Sequence, residues 1–187
     1  MNPLLLDIPE QIETDRLVLR LPHTDDADGL VEAVQSSIEQ LREWMSWAKR
    51  DYGRDDAIEF TRRTLSEWQL RKTIPYRISL GDRIIGSISL FDIDWDVPSG
   101  EIGYWLRSDR VGRGLMTEAC KALTDYALDT LNFNRVVITC SDANQRSYAV
   151  AERCGYTLEA VQRNARRHTD GSLDHARLYS RTTADAG

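Results

Sequence analysis

Residues 110–129, "RVGRGLMTEACKALTDYALD", set two glycines immediately ahead of the strongest helical pattern in the chain. Leu115, Ala119, Leu123, Ala127 and Leu131 recur every fourth residue, with Ala122 and Tyr126 beside them. This is an apolar stripe of helical period, and it must face a core. Upstream, "GEIGYWLRS" (100–108) has the aromatic and aliphatic content of a strand. Downstream, Val136, Ile138 and Cys140 alternate with Val137, Thr139 and Ser141, a second strand. Strand, glycine turn, helix, strand is most simply a parallel pair joined by a right-handed crossover. No other stretch constrains the topology as tightly.

The same turn bears on chemistry. Gly112 and Gly114 precede a helix N-terminus, where unpaired N–H groups and a partial positive charge suit a phosphate. Without β-carbons, a phosphate can approach the backbone closely. A tight turn with no ligand would use the same glycines. Two nucleotide motifs are excluded. A P-loop needs Gly-Lys-Ser/Thr, whereas Leu115-Met116 follows Gly114, and the dinucleotide fingerprint needs a third glycine where Thr117 stands.

The remaining segments fit around this core. Leu17, Leu19 and Leu21 alternate with Val18 and Arg20 as a first strand, and "TDDADGLVEAVQSS" is a helix opened by Thr24. Residues 55–72 predict a second helix, and "PYRISLGDRIIGSISLF" a hairpin turning at Gly81-Asp82. Asn144 and Gly155 bound a short helix as N-cap and C-terminal glycine. "LDHARLYS" (173–180) is the last strand, and 181–187 is expected to fray. The whole chain, 1–187, reads as a single α/β domain with mixed strands.

Composition excludes several function classes. A net charge of −6 argues against nucleic acid as a direct partner. The opening "MNPLLLDIPE" is too short an apolar run for a signal peptide or membrane span, so a cytoplasmic protein with no membrane partner is expected. Cys120, Cys140 and Cys154 are odd in number and lack paired spacing, which argues against disulfides and against a metal cage.

"EIGYWLRSDRVGRGLMTEA" followed by "NRVVITCSDANQRSYAVAERCGYTLEA" resembles the GNAT superfamily of N-acetyltransferases. The likeness is greatest to the RimJ/RimL branch of ribosomal-protein N-terminal acetyltransferases, and "IETDRLVLR" and "LREWMSWA" extend it over nearly the whole chain. The resemblance implies a GNAT-type fold. That fold is a mixed, mostly antiparallel sheet of about seven strands with helices on both faces, its parallel β-α-β core splayed to admit acetyl-CoA. It also implies acetyl-CoA as co-substrate, its pyrophosphate on the amides of a six-residue turn, here Val111 to Met116. The family signature starts with Gln or Arg, has Gly fourth, and Gly or Ala sixth. Gly114 keeps the fourth place, while Val111 and Met116 depart at the first and sixth. The implied cofactor contacts are Leu106, Arg107, Val111, Gly112, Arg113, Gly114, Leu115, Met116, Asn144 and Ser147.

Acetyl transfer needs a polarised thioester carbonyl, a neutral amine and a proton for the departing thiolate. The resemblance assigns the first to the Leu106 N–H, which only proline would remove. Many family members supply the proton from a tyrosine seven residues after the asparagine, where this chain has Ala151. The RimJ/RimL pattern instead offers Ser147, a residue that equally fits helix capping, with Tyr148 as the second candidate. Glu101, at the start of its strand, is the candidate base, acting through a water. His23, His168 and His175 fall outside the matched motifs. An α-amine is roughly 10–20% neutral at pH 7 and a lysine amine only about 0.04%, so a weak base favours an N-terminal α-amine. Cys140 lies in a strand's apolar alternation, as a small hydrophobe rather than a nucleophile, so direct transfer is expected.

On the acceptor side, Trp44 and Trp47 stand three apart on one helical face, and Asp92 and Asp94 share a side of an extended segment with Asp96. These four of the cleft (Trp44, Trp47, Asp92, Asp94) would meet either a protein N-terminus or a small amine. The expected assembly is a monomer or homodimer. The competing class is a CoA-binding sensor without turnover, which the missing tyrosine at 151 would suit.

Overall fold

In the computed structural model, which describes residues 2–168 and 170–186, one sheet runs through the protein. Its strands are β1 (Gln11–Glu13), β2 (Val18–Arg20), β3 (Ile74–Leu80), β4 (Arg83–Asp94), β5 (Ser99–Leu106), β6 (Arg135–Ser141), β7 (Thr157–Arg167) and β8 (Leu173–Thr182). They lie in the order β1-β2-β3-β4-β5-β6-β8-β7, an eight-stranded sheet. Every neighbouring pair is antiparallel except β5–β6, the parallel pair expected from the glycine turn. The helices are α1 (Ala27–Gln35), α2 (Ile38–Trp44), α3 (Arg54–Gln69), α4 (Leu115–Asp125) and α5 (Gln145–Arg153).

Alternation along β5 sorts the helices onto two faces. Ile102, Tyr104 and Leu106 pack with Leu115, Ala119 and Leu123 of α4, whereas Trp105 packs with Leu30 and Val34 of α1 and Ala57 of α3. The apolar stripe beginning at Leu115 is thus the inner face of α4, with Ala119, Cys120 and Leu123 fully buried. A π-helical turn (Tyr126–Thr130) prolongs α4, and left-handed Asn132 ends it.

The parallel pair is short. β5 and β6 are in register only from Ser99–Glu101 against Arg135–Val137. Beyond that, β5 stays with β4 as far as Gly86↔Leu106, while β6 stays with β8 through Ser141↔Ala176. Two strands committed to different neighbours must diverge, and a wedge opens between them. Beside its start, β4 carries a bulge at Phe91–Asp94, with Asp92 at φ +49, and bulges increase local twist.

The sheet expected at about seven strands has eight, of which β7 is exposed along nearly all of its length and shows no buried alternation. Two expectations change. The predicted helix at 55–72 stops at Gln69, since Arg71 is left-handed at φ +56. The tail does not fray at 181: Arg181 and Thr182 pair with Val136 and Arg135, and Arg181 Nη1 lies 2.8 Å from Asp125. Thr183–Ala186 form a short 3-10 turn, and Gly187 lies outside the described residues. No described helix is long and apolar enough to cross a membrane.

Candidate active site

The wedge between β5 and β6 holds a cavity of about 480 Å³. Its walls are the diverging strands: Glu101 to Tyr104 on one side, Ile138 to Ser141 on the other. Asn144 and Ser147 at the start of α5 close one flank. Trp44 at the end of α2, with Arg166, His168 and Asp174 of the β7–β8 hairpin, closes the other. Because side chains alternate along β5, the cavity passes through the sheet rather than lying on one face.

The β5 wall carries unused donors. Arg107 N–H donates to Ile85 O at 2.7 Å, and the register from there makes Trp105/Ser87 the next hydrogen-bonded pair. Tyr104 and Leu106 therefore direct their N–H groups away from β4, toward the wedge. Leu106 itself lies beyond the cavity lining, which on β5 ends at Tyr104.

At the glycine turn, Gly112 and Gly114 are left-handed, at φ +76 and +74, and residues 111–114 are exposed. Leu115 and Met116 bury their side chains in the core, so only their amides face the turn. Arg16 braces this segment. Its Nη1 donates to Arg113 O at 3.0 Å and its Nε to Glu118 at 2.6 Å, while Glu118 also accepts from the Arg16 N–H and from Thr14 Oγ1. Burial pushes the Glu118 carboxyl up, but these bonds outweigh it and hold the carboxyl below its ordinary range. Arg16→Ala should therefore loosen the turn, weakening acetyl-CoA affinity severalfold in calorimetry with a small change in melting temperature. Unchanged affinity would show that the brace is irrelevant to binding.

Arg107 is already engaged by the protein. Its guanidinium is held by Glu32 at 2.9 Å and Asp109 at 3.1 Å, and its N–H and carbonyl are both used by Ile85 and Arg110. Asn144 caps α5 as expected, its Oδ1 accepting from the Ser147 N–H at 3.1 Å. Ser147 Oγ lies 3.3 Å from the Tyr104 hydroxyl, which donates to Ser147 O at 2.9 Å. Burial holds the Tyr104 phenol well above its ordinary range, so it stays protonated. Tyr104 was not among the sequence candidates: the phenol comes from the strand, not from position 151 on the helix. Tyr148 points elsewhere, its ring under the Arg177 guanidinium at 4.2 Å and outside the cavity lining.

Glu101 lines the cavity beside Thr139. Burial raises its carboxyl above the usual range, a Thr139 hydrogen bond partly opposes this, and nearby Asp92 adds to it. Cys140 is also in the wall, and burial pushes its thiol up, away from the thiolate. Trp44 lines the cavity but Trp47 does not. α2 ends at Trp44, and Trp47 falls in the following turn against Tyr52 and Trp105, with ring centroids 6.0 Å apart in each case. Asp92 is exposed at the bulge. Asp94 turns onto its own loop, accepting from the Asp96 and Val97 N–H groups at 2.8 and 3.1 Å. Neither of these aspartates is in the lining. His168 and Asp174, which do line it, belong to the unforeseen hairpin, and their Nε2 and Oδ2 are 3.4 Å apart. The Asp-Gly pair at 170–171, a turn signal, was the one clue to it. Among the described residues no cluster of side chains could hold a metal.

The Acetyltransferase (GNAT) domain family matches residues 16–157. A ribosomal-protein-serine acetyltransferase of Escherichia coli (strain K12) is 28% identical over 141 residues, 75% of this chain and 78% of that one. The crystal structure of the microcin C7 self-immunity acetyltransferase MccE, in complex with acetyl-CoA and AMP, matches with a TM-score of 0.88. Its identity is 28%, over 94% of this chain and 97% of that one. RimL, a ribosomal L7/L12 alpha-N-protein acetyltransferase in complex with coenzyme A, matches at 0.86 and 27% identity, over 95% and 100%. With a domain match over most of its length and the parallel strands splayed as that fold requires, the chain belongs to the GNAT acetyltransferases, enzymes that use acetyl-CoA as co-substrate.

Proposed function

We propose that this N-acetyltransferase transfers acetyl directly to a protein N-terminal α-amine, of the kind its ribosomal-protein-acetylating relatives are named for. The observation that carries the reading is the cavity passing through the sheet. Asn144 and Ser147 of α5 lie at one end of it, and Glu101 stands on the face of β5 opposite the one that packs on α4.

The residues fit acetyl-CoA. The exposed turn at 111–114 leads into the N-terminus of α4, where the amides of Gly112 to Met116 suit the pyrophosphate. The pantetheine arm would enter the wedge past Asn144 and Ser147. Bound there, acetyl-CoA supplies a thioester carbonyl open to attack. The Leu106 N–H would donate to the carbonyl oxygen. Through a water, Glu101 takes the proton that the neutral amine sheds as the amide bond forms, its raised affinity for protons suiting it to the task. Ser147, backed by Tyr104, returns a proton to the sulfur. Trp44 walls the acceptor side, and Asp92 contributes negative field near Glu101 that favours an incoming ammonium.

Cys140 is expected to take no part as a nucleophile, since its thiol is held protonated. Protein incubated with radiolabelled acetyl-CoA alone should retain no label after denaturation. An acetyl thioester mapped to Cys140 would overturn direct transfer. The acceptor class is tested by mass spectrometry on a panel of peptides with free N-termini, matched lysine peptides and small amines. Acetylation confined to small amines or to lysine would contradict the N-terminal reading.

A further inference from the structure

On the acceptor side of the cavity, three segments converge on one imidazole. The His168 N–H donates to Ser172 O at 2.9 Å, and the Gly171 N–H donates to His168 O at 2.9 Å, fixing the tip of the hairpin. His168 Nε2 stands 3.4 Å from Asp174 Oδ2. Asp174 is itself immobilised: the Ser141 hydroxyl donates to Oδ2, and the His175 N–H donates to Oδ1 at 2.7 Å. Ser141 in turn accepts from the Ala143 N–H at 3.1 Å. The hydrogen bond from Ser141 is the largest influence holding the Asp174 carboxyl below its usual range, so it remains an anion. On another side the ring meets Trp44, centroids 6.0 Å apart.

A carboxylate facing Nε2 keeps that nitrogen protonated, which leaves Nδ1 as the proton acceptor. The other charged groups lining the cavity near this pair are Arg166 and Arg167 on β7, Glu43 on α2 and Glu101 on β5, with Asp170 in the turn close enough to feel the imidazole. The reaction has a proton to dispose of. An ammonium acceptor and acetyl-CoA yield an amide, free thiol and one proton, and that proton must reach solvent. Glu101 sits half-buried within the wedge, whereas the His168 side chain is 27% exposed.

We propose that His168, oriented by Asp174, is the proton outlet of the acceptor site: it accepts the proton that the ammonium sheds on becoming a neutral amine, before Glu101 acts, and releases it to solvent. This rests on the reading of the cavity as the amine-acetylating site. Asp174 is a positioning residue, acting through the imidazole. In each turnover Nδ1 gains the proton given up by the ammonium nitrogen, and the imidazolium then loses it to water. No other bond is made or broken at the ring.

The test uses the full chain with acetyl-CoA and two acceptors in parallel, Ser-Ala-Ala amide and glycinamide. His168→Ala, His168→Gln and Asp174→Asn are compared by kcat/KM against pH, by melting temperature and by acetyl-CoA affinity. Both His168 variants should lose about tenfold or more at pH 7, the deficit shrinking as pH rises and more amine is already neutral. Added imidazole should restore His168→Ala in a concentration-dependent way and leave wild type unchanged. Asp174→Asn should lower the rate and displace the acid limb, with acetyl-CoA affinity intact. Wild-type profiles in the variants, or a loss uniform across pH and insensitive to imidazole, would overturn the proposal and leave the pair as a hairpin clasp. Turnover of glycinamide alone would count against the N-terminal substrate while still reporting on His168.

Discussion

Glu101→Gln should lower kcat/KM for an amine acceptor by about 10²–10⁴-fold, the range of general acid–base catalysis, and at the same time raise the melting temperature at neutral pH. Both effects come from one cause. Burial is the main influence raising the Glu101 carboxyl above its ordinary value, with Asp92 adding to it and Thr139 opposing. A group whose folded value is raised stabilises the fold below its unfolded pKa, and that contribution is lost as pH rises through the folded value. At neutral pH the ionised carboxylate is therefore a cost to the native state. A neutral amide of the same shape relieves it, while also abolishing the base. In wild type, activity should fall on acidification at a higher pH than an unperturbed carboxylate would give. In Glu101→Gln that limb should vanish, leaving that of the acceptor amine. A normal rate with a lowered melting temperature would make Glu101 a structural residue only.

Tyr104→Phe and Ser147→Ala should each lower kcat and kcat/KM together, with acetyl-CoA affinity unchanged. The two hydroxyls are hydrogen-bonded and share the cavity flank where the sulfur should lie. A proton delivered to the departing thiolate is an interaction stronger in the transition state than in the ground state, hence the parallel loss. Each single change is expected to cost about 10²-fold or more. The double variant should be little worse than the poorer single, because residues that act as a unit are not additive. Full additivity would separate their roles, and a normal kcat in both would assign the proton to water. A lower melting temperature in Ser147→Ala, with loss of active protein in proportion, would point to capping of α5 instead. Asn144 already supplies that cap, which argues against it.

The parts of the fold legible in the sequence were those with a strong local period. The stripe on α4 and the alternation in β6 each bury one face, and burial writes itself into residue type, while the Gly81-Asp82 hairpin was legible from its turn. The left-handed glycines and the Asn144 cap were legible because few residues tolerate those positions. β7 was illegible for the opposite reason. An edge strand exposed on both faces imposes no alternation, so "TLEAVQRNARR" carries no strand signal beyond pairing with β8. His168, just beyond β7, was hidden with it, whereas Asp174 lies on the strand read at 173–180 and only its partner was missed. Trp47 and Asp94 were misplaced by a different error: the helix stops at Trp44, and the strand bulges at Asp92, so simple periodicity fails at both. Tyr104 escaped notice because its hydroxyl meets Ser147 only across the wedge, 43 residues away in sequence.

Acetyl-CoA and the amine are expected to meet inside the wedge between β5 and β6, one from each face of the sheet. A bisubstrate conjugate, coenzyme A joined through an acetyl bridge to the N-terminus of Ser-Ala-Ala amide, tests it in one inhibition experiment. Both halves should be held at once, so the conjugate should bind far more tightly than either half and compete with both acetyl-CoA and the peptide. Competition with acetyl-CoA alone, at an affinity no better than coenzyme A, would contradict the claim and place the acceptor outside the wedge.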